Sequence, residues 1–167
     1  NLHPGIKTQV SESVKVVKFE KFNSIFKSNV DLIVLGINSK GIEWVADQLS
    51  TIFKDKNLPN LLMLTKGLSI HNNKYELLVD KLKRLLKTKG ILKTNISAIG
   101  GPCLAAGLSH RIHSSVVIAN ENMQDAKKIA EMLNTDYYHT SISDDINGVE
   151  VSAAIKNIFS MAIVAAK

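Results

Sequence analysis

Short apolar runs constrain this chain most. Each ends in glycine or a small polar residue, and most are followed by helical periodicity. Asp31-Leu32-Ile33-Val34-Leu35-Gly36 is almost continuously apolar, which predicts a strand buried on both faces. The same reading predicts strands over residues 14–19, 60–64, 95–99, 115–119 and 137–140. Helical spacing predicts a short helix over 22–27 and longer ones over 41–54 and 125–133. Leu78, Leu82 and Leu86 predict a basic amphipathic helix over 74–88, and 104–108 forms a helical turn or two. Alternating strands and helices specify a largely parallel sheet with helices on both faces.

In such sheets, ligands bind at the carboxyl ends of the strands. Here those ends are Gly36-Ile37-Asn38-Ser39, Thr65-Lys66-Gly67 and Gly100-Gly101-Pro102-Cys103, all small and glycine-bearing. The expectation is that Gly36, Leu64 and Ile99 share one edge. A last helix starts near Ile146, and residues 149–166 are too apolar for a surface helix. It is expected to open a second, all-helical domain. The chain starts at Asn1 and ends inside this apolar pattern, so a piece of a longer protein is expected.

Composition narrows the class. Hydrophobic residues are 45% and charged residues 22%, which excludes a disordered chain. No apolar run approaches the ~20 residues of a membrane span. The lone Cys103 leaves no internal disulfide and no cysteine-based zinc site, which fits a cytoplasmic enzyme. The net charge of +6 is mostly scattered lysine without interleaved aromatic residues. That pattern describes a solvated face rather than a nucleic-acid platform, and it can steer an anionic small substrate.

Neither Gly-x-Gly-x-x-Gly nor Gly-x-x-x-x-Gly-Lys-Ser/Thr occurs. His110 and His113 have a metal-compatible spacing but no third ligand nearby, so no metal is expected. Lys66 after a buried strand is either a solvated loop lysine or a phosphate-facing one. Gly101-Pro102-Cys103-Leu104-Ala105 is either a plain strand-to-helix turn or a close backbone approach to a ligand. Asp145 caps the last helix, and Ser152, Ala153, Lys156, Asn157 and Ser160 share one of its faces. An isolated lysine there is either a snorkelling core residue or a partly desolvated acid–base group with a lowered pKa.

Taken in order, four segments resemble the NAD(P)-dependent glycerol-3-phosphate dehydrogenase family, with a spacing most similar to its archaeal branch. They are residues 31–36, Thr65-Lys66-Gly67-Leu68, Gly101-Pro102-Cys103-Leu104-Ala105, and Asp145-Ile146-Asn147-Gly148-Val149-Glu150 leading to Ile155-Lys156-Asn157. The resemblance implies the later part of a doubly wound Rossmann-like sheet in residues 1–144, without its glycine-rich first unit. It makes residues 145–167 the start of a helical substrate domain. It implies interconversion of dihydroxyacetone phosphate and sn-glycerol 3-phosphate with NAD or NADP. Lys156 matches the proton donor and acceptor, and Lys66 the lysine that contacts substrate and cofactor. Gly101, Cys103 and Asn157 match substrate-contacting positions, and Ser39 and Ala105 cofactor-side positions. Cys103 stands where many members have serine, and Asn38-Ser39 where Pro-Ser is common. The family's glycine-rich loop and Gly-Arg-Asn segment are missing, so the chain alone is expected to be inactive. The expected partners are a phosphate-bearing small molecule and, as an option, a second copy. Neither nucleic acid nor membrane is expected. Two rivals stand beside this reading: another 3-hydroxyacid-type dehydrogenase of the same two-domain plan, and a non-catalytic basic binding domain. A downstream Gly-Arg-Asn segment separates the first, and salt-dependent nucleic-acid binding the second.

Overall fold

The computed structural model describes residues 9–26 and 29–166. Residues 14–18 form no strand there, contrary to the expectation. Val14, Val16 and Val17 are exposed, and among the described residues no strand lies beside them to complete a ladder. A 3-10 turn, Phe19–Lys21, leads into the short helix α1 (Phe22–Ile25); the end of the helix expected over 22–27 falls outside the described residues.

The elements that follow are β1 (Leu32–Leu35), α2 (Ile42–Phe53), β2 (Asn60–Met63), β3 (Leu68–His71), β4 (Lys74–Leu77) and α3 (Leu78–Thr88). Then come β5 (Ile96–Gly100), α4 (Ala105–Ser109), β6 (Ser114–Ala119), α5 (Met123–Leu133), β7 (Tyr138–Ser143) and α6 (Ile146–Ala165). Five strands form one sheet in the order β1-β2-β5-β6-β7. β1, β2 and β5 are parallel, so Gly36, Leu64 and the end of β5 share one edge, as expected. β6 runs antiparallel to β5, and β7 is parallel to β6. The reversal follows from the connection. α4 has five residues and rises roughly 7 Å, too little to carry the chain back along a strand. The 11 residues of α5 do make that return, and β6 and β7 pair in parallel across it.

Residues alternate between two cores, as strand geometry requires. Leu61, Met63, Ile96 and Ala98 face α2 and α3, while Leu62 and Ile99 face α5. β1 is less buried than its apolar run predicts: Val34 is 46% exposed, because α5 lies over the other end of the sheet.

Residues 74–88 are not one helix. Residues 74–77 are β4, paired antiparallel with β3 through Asn72 and Asn73, both at positive φ. That is the conformation of a tight hairpin turn, and asparagine tolerates it well. The Leu78, Leu82, Leu86 stripe is real and fully buried. The basic face of α3 is largely paired with neighbouring acids. Lys81 meets Glu43 at 2.9 Å, Lys83 meets Glu121 at 2.6 Å, Arg84 meets Glu76 at 2.7 Å, and Lys89 meets Asp47.

α6 has 20 residues and a mean hydropathy of 1.4, so by length and composition it could cross a membrane. The sequence expectation of no such run is corrected on this point. Its first turns dock through Ile146 and Val149 on the apolar core and through Glu150 on the start of α3. Its far half exposes Ile158, Phe159, Met161, Ile163 and Val164.

Candidate functional site

The site forms where α6 crosses the carboxyl end of β5, beside the loop that follows β2. Asp145 caps α6, its Oδ1 accepting from the Gly148 N–H at 2.7 Å. A side chain at Gly100 would put its Cβ 2.9 Å from Val149 Cγ1, so glycine sets how closely helix and strand approach. At Gly101, φ is +143° and a Cβ would lie 2.6 Å from the Ser115 carbonyl oxygen. Both the conformation and the space there call for glycine.

A cleft of about 830 Å³ opens between these elements, within the range of small-molecule sites. Lys66, Gly101, Cys103, Lys156 and Asn157 all line it, joined by Ser152 and Asp145. Ser39 and Ala105 do not. Ser39 opens the 3-10 turn after β1, and Ala105 begins α4. The strand-end loops are tied to one another: Thr65 is buried, and its hydroxyl donates to the Ile37 carbonyl at 2.8 Å. That bond fixes the loop from which Lys66 projects.

Lys156 is exposed, as is Lys66. Of the two readings of Lys156, the partly desolvated one is not borne out. Those neighbours point outward, leaving the cleft side of α6 open. Among the described residues, neither lysine has a carboxylate within ion-pairing distance. Two unpaired cations on one cleft suit an anionic ligand. Cys103 is half-buried against the α5-side core. Burial, and then Cys103, push the neighbouring Tyr138 phenol above its ordinary pKa.

His110 and His113 diverge. His110 Nδ1 contacts the Ala106 carbonyl at 2.8 Å, whereas His113 stacks on His139 with a 2.9 Å contact between ring nitrogens. Among the described residues no group of three or more histidine, cysteine or acidic side chains could hold a metal.

Glu150 belongs to a segment that the sequence singles out, but was given no role there. It is 6% exposed and accepts from the Val79 N–H at 3.3 Å. Burial pushes its carboxyl up to about 7; Asp80 adds to this, and Lys83 and the backbone N–H groups oppose it. The charged groups of the adjacent β4 are Lys74 and Glu76, the latter paired with Arg84. β5 and β6 contribute none. A raised acid pKa contributes stability that is fully present below the ordinary value of 4.5 and lost as pH rises through about 7. Wild-type thermal stability should therefore fall between about pH 5 and pH 8. Glu150→Gln should flatten that fall and be the more stable protein at the upper end, by on the order of 1–3 kcal/mol. Melting curves showing parallel pH profiles for the two would refute this.

A family model, the N-terminus of NAD-dependent glycerol-3-phosphate dehydrogenase, matches residues 10–126. A relative from Rickettsia typhi, a glycerol-3-phosphate dehydrogenase [NAD(P)+], is 35% identical over 133 residues, covering 78% of this chain and 38% of its own. The NADP(+)-dependent glycerol-3-phosphate dehydrogenase of Archaeoglobus fulgidus is 28% identical over 135 residues, covering 81% and 38%. The chain thus spans well under half the length of these relatives. The crystal structure of glycerol-3-phosphate dehydrogenase from Coxiella burnetii has the same fold, with a TM-score of 0.75 at 22% identity, over 95% of this chain and 44% of that one.

Proposed function

The chain belongs to the NAD-dependent glycerol-3-phosphate dehydrogenase N-terminal family, and on that premise we propose that its cleft interconverts dihydroxyacetone phosphate and sn-glycerol 3-phosphate. The observation that carries this is the convergence of Lys66 and Lys156, two unpaired cations, on one glycine-floored cleft at the strand ends. Gly101 lets the loop pack directly on β6, where a Cβ would lie 2.6 Å from the Ser115 carbonyl oxygen, and so fixes the floor of the cleft. NAD or NADP would be held at that edge by Ser39, Lys66 and Ala105, and would supply or accept the hydride at C2. Lys156 gives its proton to the C2 oxygen in reduction and takes it back in oxidation. Before the transfer its ammonium stabilises the developing negative charge. Lys66 holds the anionic substrate across the cleft. Gly101, Cys103 and Asn157 contact the substrate beside it.

Residues 1–144 then serve as part of the dinucleotide domain, and residues 145–167 begin a helical substrate domain. That domain covers the outer face of α6, in a cytoplasmic enzyme. Absent a cover, the face should pair with a second copy: light scattering on the isolated chain should detect self-association, accompanied by binding of an apolar dye. Apolar patches of this kind seldom stay bare, and a clean monomer without dye binding would contradict the assignment.

The function is tested by oxidation of reduced cofactor in the intact protein. Dihydroxyacetone phosphate should support turnover, and unphosphorylated 3-hydroxyacids with their ketoacid counterparts should not. The opposite preference would transfer the chain to the rival substrate class.

A further inference from the structure

Helix α3 lacks a side-chain cap of its own. Leu77 stands at its N-cap, where serine, threonine, aspartate or asparagine would normally accept a first-turn N–H. The acceptor comes from another helix instead: Glu150 of α6 takes the Val79 N–H at 3.3 Å and also faces the Leu78 N–H. A carboxylate at this position also meets the positive end of the helix dipole. Glu150 is one of only two charged residues in α6, and it is buried while the other, Lys156, lies about one and two-thirds turns further on and exposed.

The partner end of this bond lies beside Lys66. Leu68 pairs with Leu77 at the base of the β3–β4 hairpin, so the chain returns to Lys66 as α3 begins. Leu78 Cδ1 lies 3.9 Å from where a Cβ on Gly67 would sit. We propose that Glu150 is the positioning residue of the cleft: by capping α3 from α6, it locks the helix carrying Lys156 to the hairpin base carrying Lys66. This deepens the functional reading and rests on it for the importance of the lysine pair. Val149 and Ala153 set how near α6 comes to β5, against Gly100. They are apolar contacts and permit sliding, whereas the Glu150 hydrogen bond fixes rotation and register.

The structural test requires no substrate and so is independent of the glycerol-3-phosphate assignment. Nitroxide labels are placed on Lys66→Cys and Lys156→Cys, with Cys103→Ala removing the native thiol, and their separation is measured by pulsed electron resonance. A single narrow distance distribution is expected with Glu150 and with Glu150→Gln, whose amide oxygen accepts the same N–H. Glu150→Ala should broaden it. Should that variant fail to fold, Glu150→Asp decides, because its carboxylate is one methylene too short and should broaden the distribution as well. An unchanged distribution in the folded alanine or aspartate variant, or equal broadening by glutamine, overturns the proposal. In the intact enzyme, Glu150→Gln should hold kcat within about threefold, whereas Glu150→Ala lowers it by about tenfold to a hundredfold with KM for the cofactor unchanged. Equal kcat for glutamine and alanine would also overturn it.

Discussion

Lys156→Ala is expected to lower kcat of the intact enzyme by about a hundredfold or more, the usual range for losing a general acid. When hydride reaches C2 the substrate oxygen becomes an alkoxide, and it is stabilised only if a proton or a cation stands beside it. Lys156 lines the cleft next to Asn157 with no carboxylate pairing it among the described residues. Its ammonium is therefore free to serve the substrate. Cofactor affinity should change little, since Ser39, Lys66 and Ala105, which would hold the dinucleotide, are untouched. Lys156→Arg should fail nearly as badly, because a guanidinium does not release a proton near neutral pH. Steady-state kinetics with dihydroxyacetone phosphate and reduced cofactor read this out directly. An alanine variant within a few-fold of wild type would make Lys156 a bystander on α6.

Gly101→Ala is expected to be the most damaging single-methyl change at the site. The residue stands at φ +143°, and an added Cβ would lie 2.6 Å from the Ser115 carbonyl oxygen and 2.8 Å from Val116 Cα. Both neighbours are backbone of a central strand, which cannot yield as a flexible side chain would. The strained φ and the overlap together should cost about 3 kcal/mol or more. The loop must also move, and Cys103 with it, since the Cys103 N–H donates to the Gly101 carbonyl at 3.1 Å. Denaturant titration should therefore find a large loss of stability together with loss of substrate binding. A stable variant with normal binding would contradict the close-packed floor of the cleft.

Much of this architecture is legible in the sequence. The parallel strands β1, β2 and β5 announce themselves as apolar runs, and their shared edge follows from the helices between them. Asp145 reads as a cap and is one. The failures have physical causes. Residues 14–19 have strand composition, but a strand needs a neighbour, and none lies beside them. β4 was hidden because Lys74–Leu77 leads straight into a true helical stripe; the usable signal was Asn72-Asn73, a pair suited to positive φ. The direction of β6 depends on how short α4 is, which a motif does not convey. The expected site residues Lys66, Gly101, Cys103, Lys156 and Asn157 meet in one cleft, whereas Ser39 and Ala105 lie apart from it. The exposure of Lys156 was left open because apolar neighbours in sequence do not fix which neighbours it has in space. The role of Glu150 was not legible because its partner is a backbone N–H, 71 residues away, that no sequence pattern reveals.

The central claim is that Lys66 and Lys156 act together on one anionic substrate. A double-mutant cycle in the intact enzyme tests this most directly, comparing kcat/KM for dihydroxyacetone phosphate in Lys66→Ala, Lys156→Ala and the double variant. Groups that act as a unit are strongly non-additive. The account predicts that the double variant is hardly worse than the poorer single variant. Losses that simply multiply would mean two lysines working independently, and would contradict it.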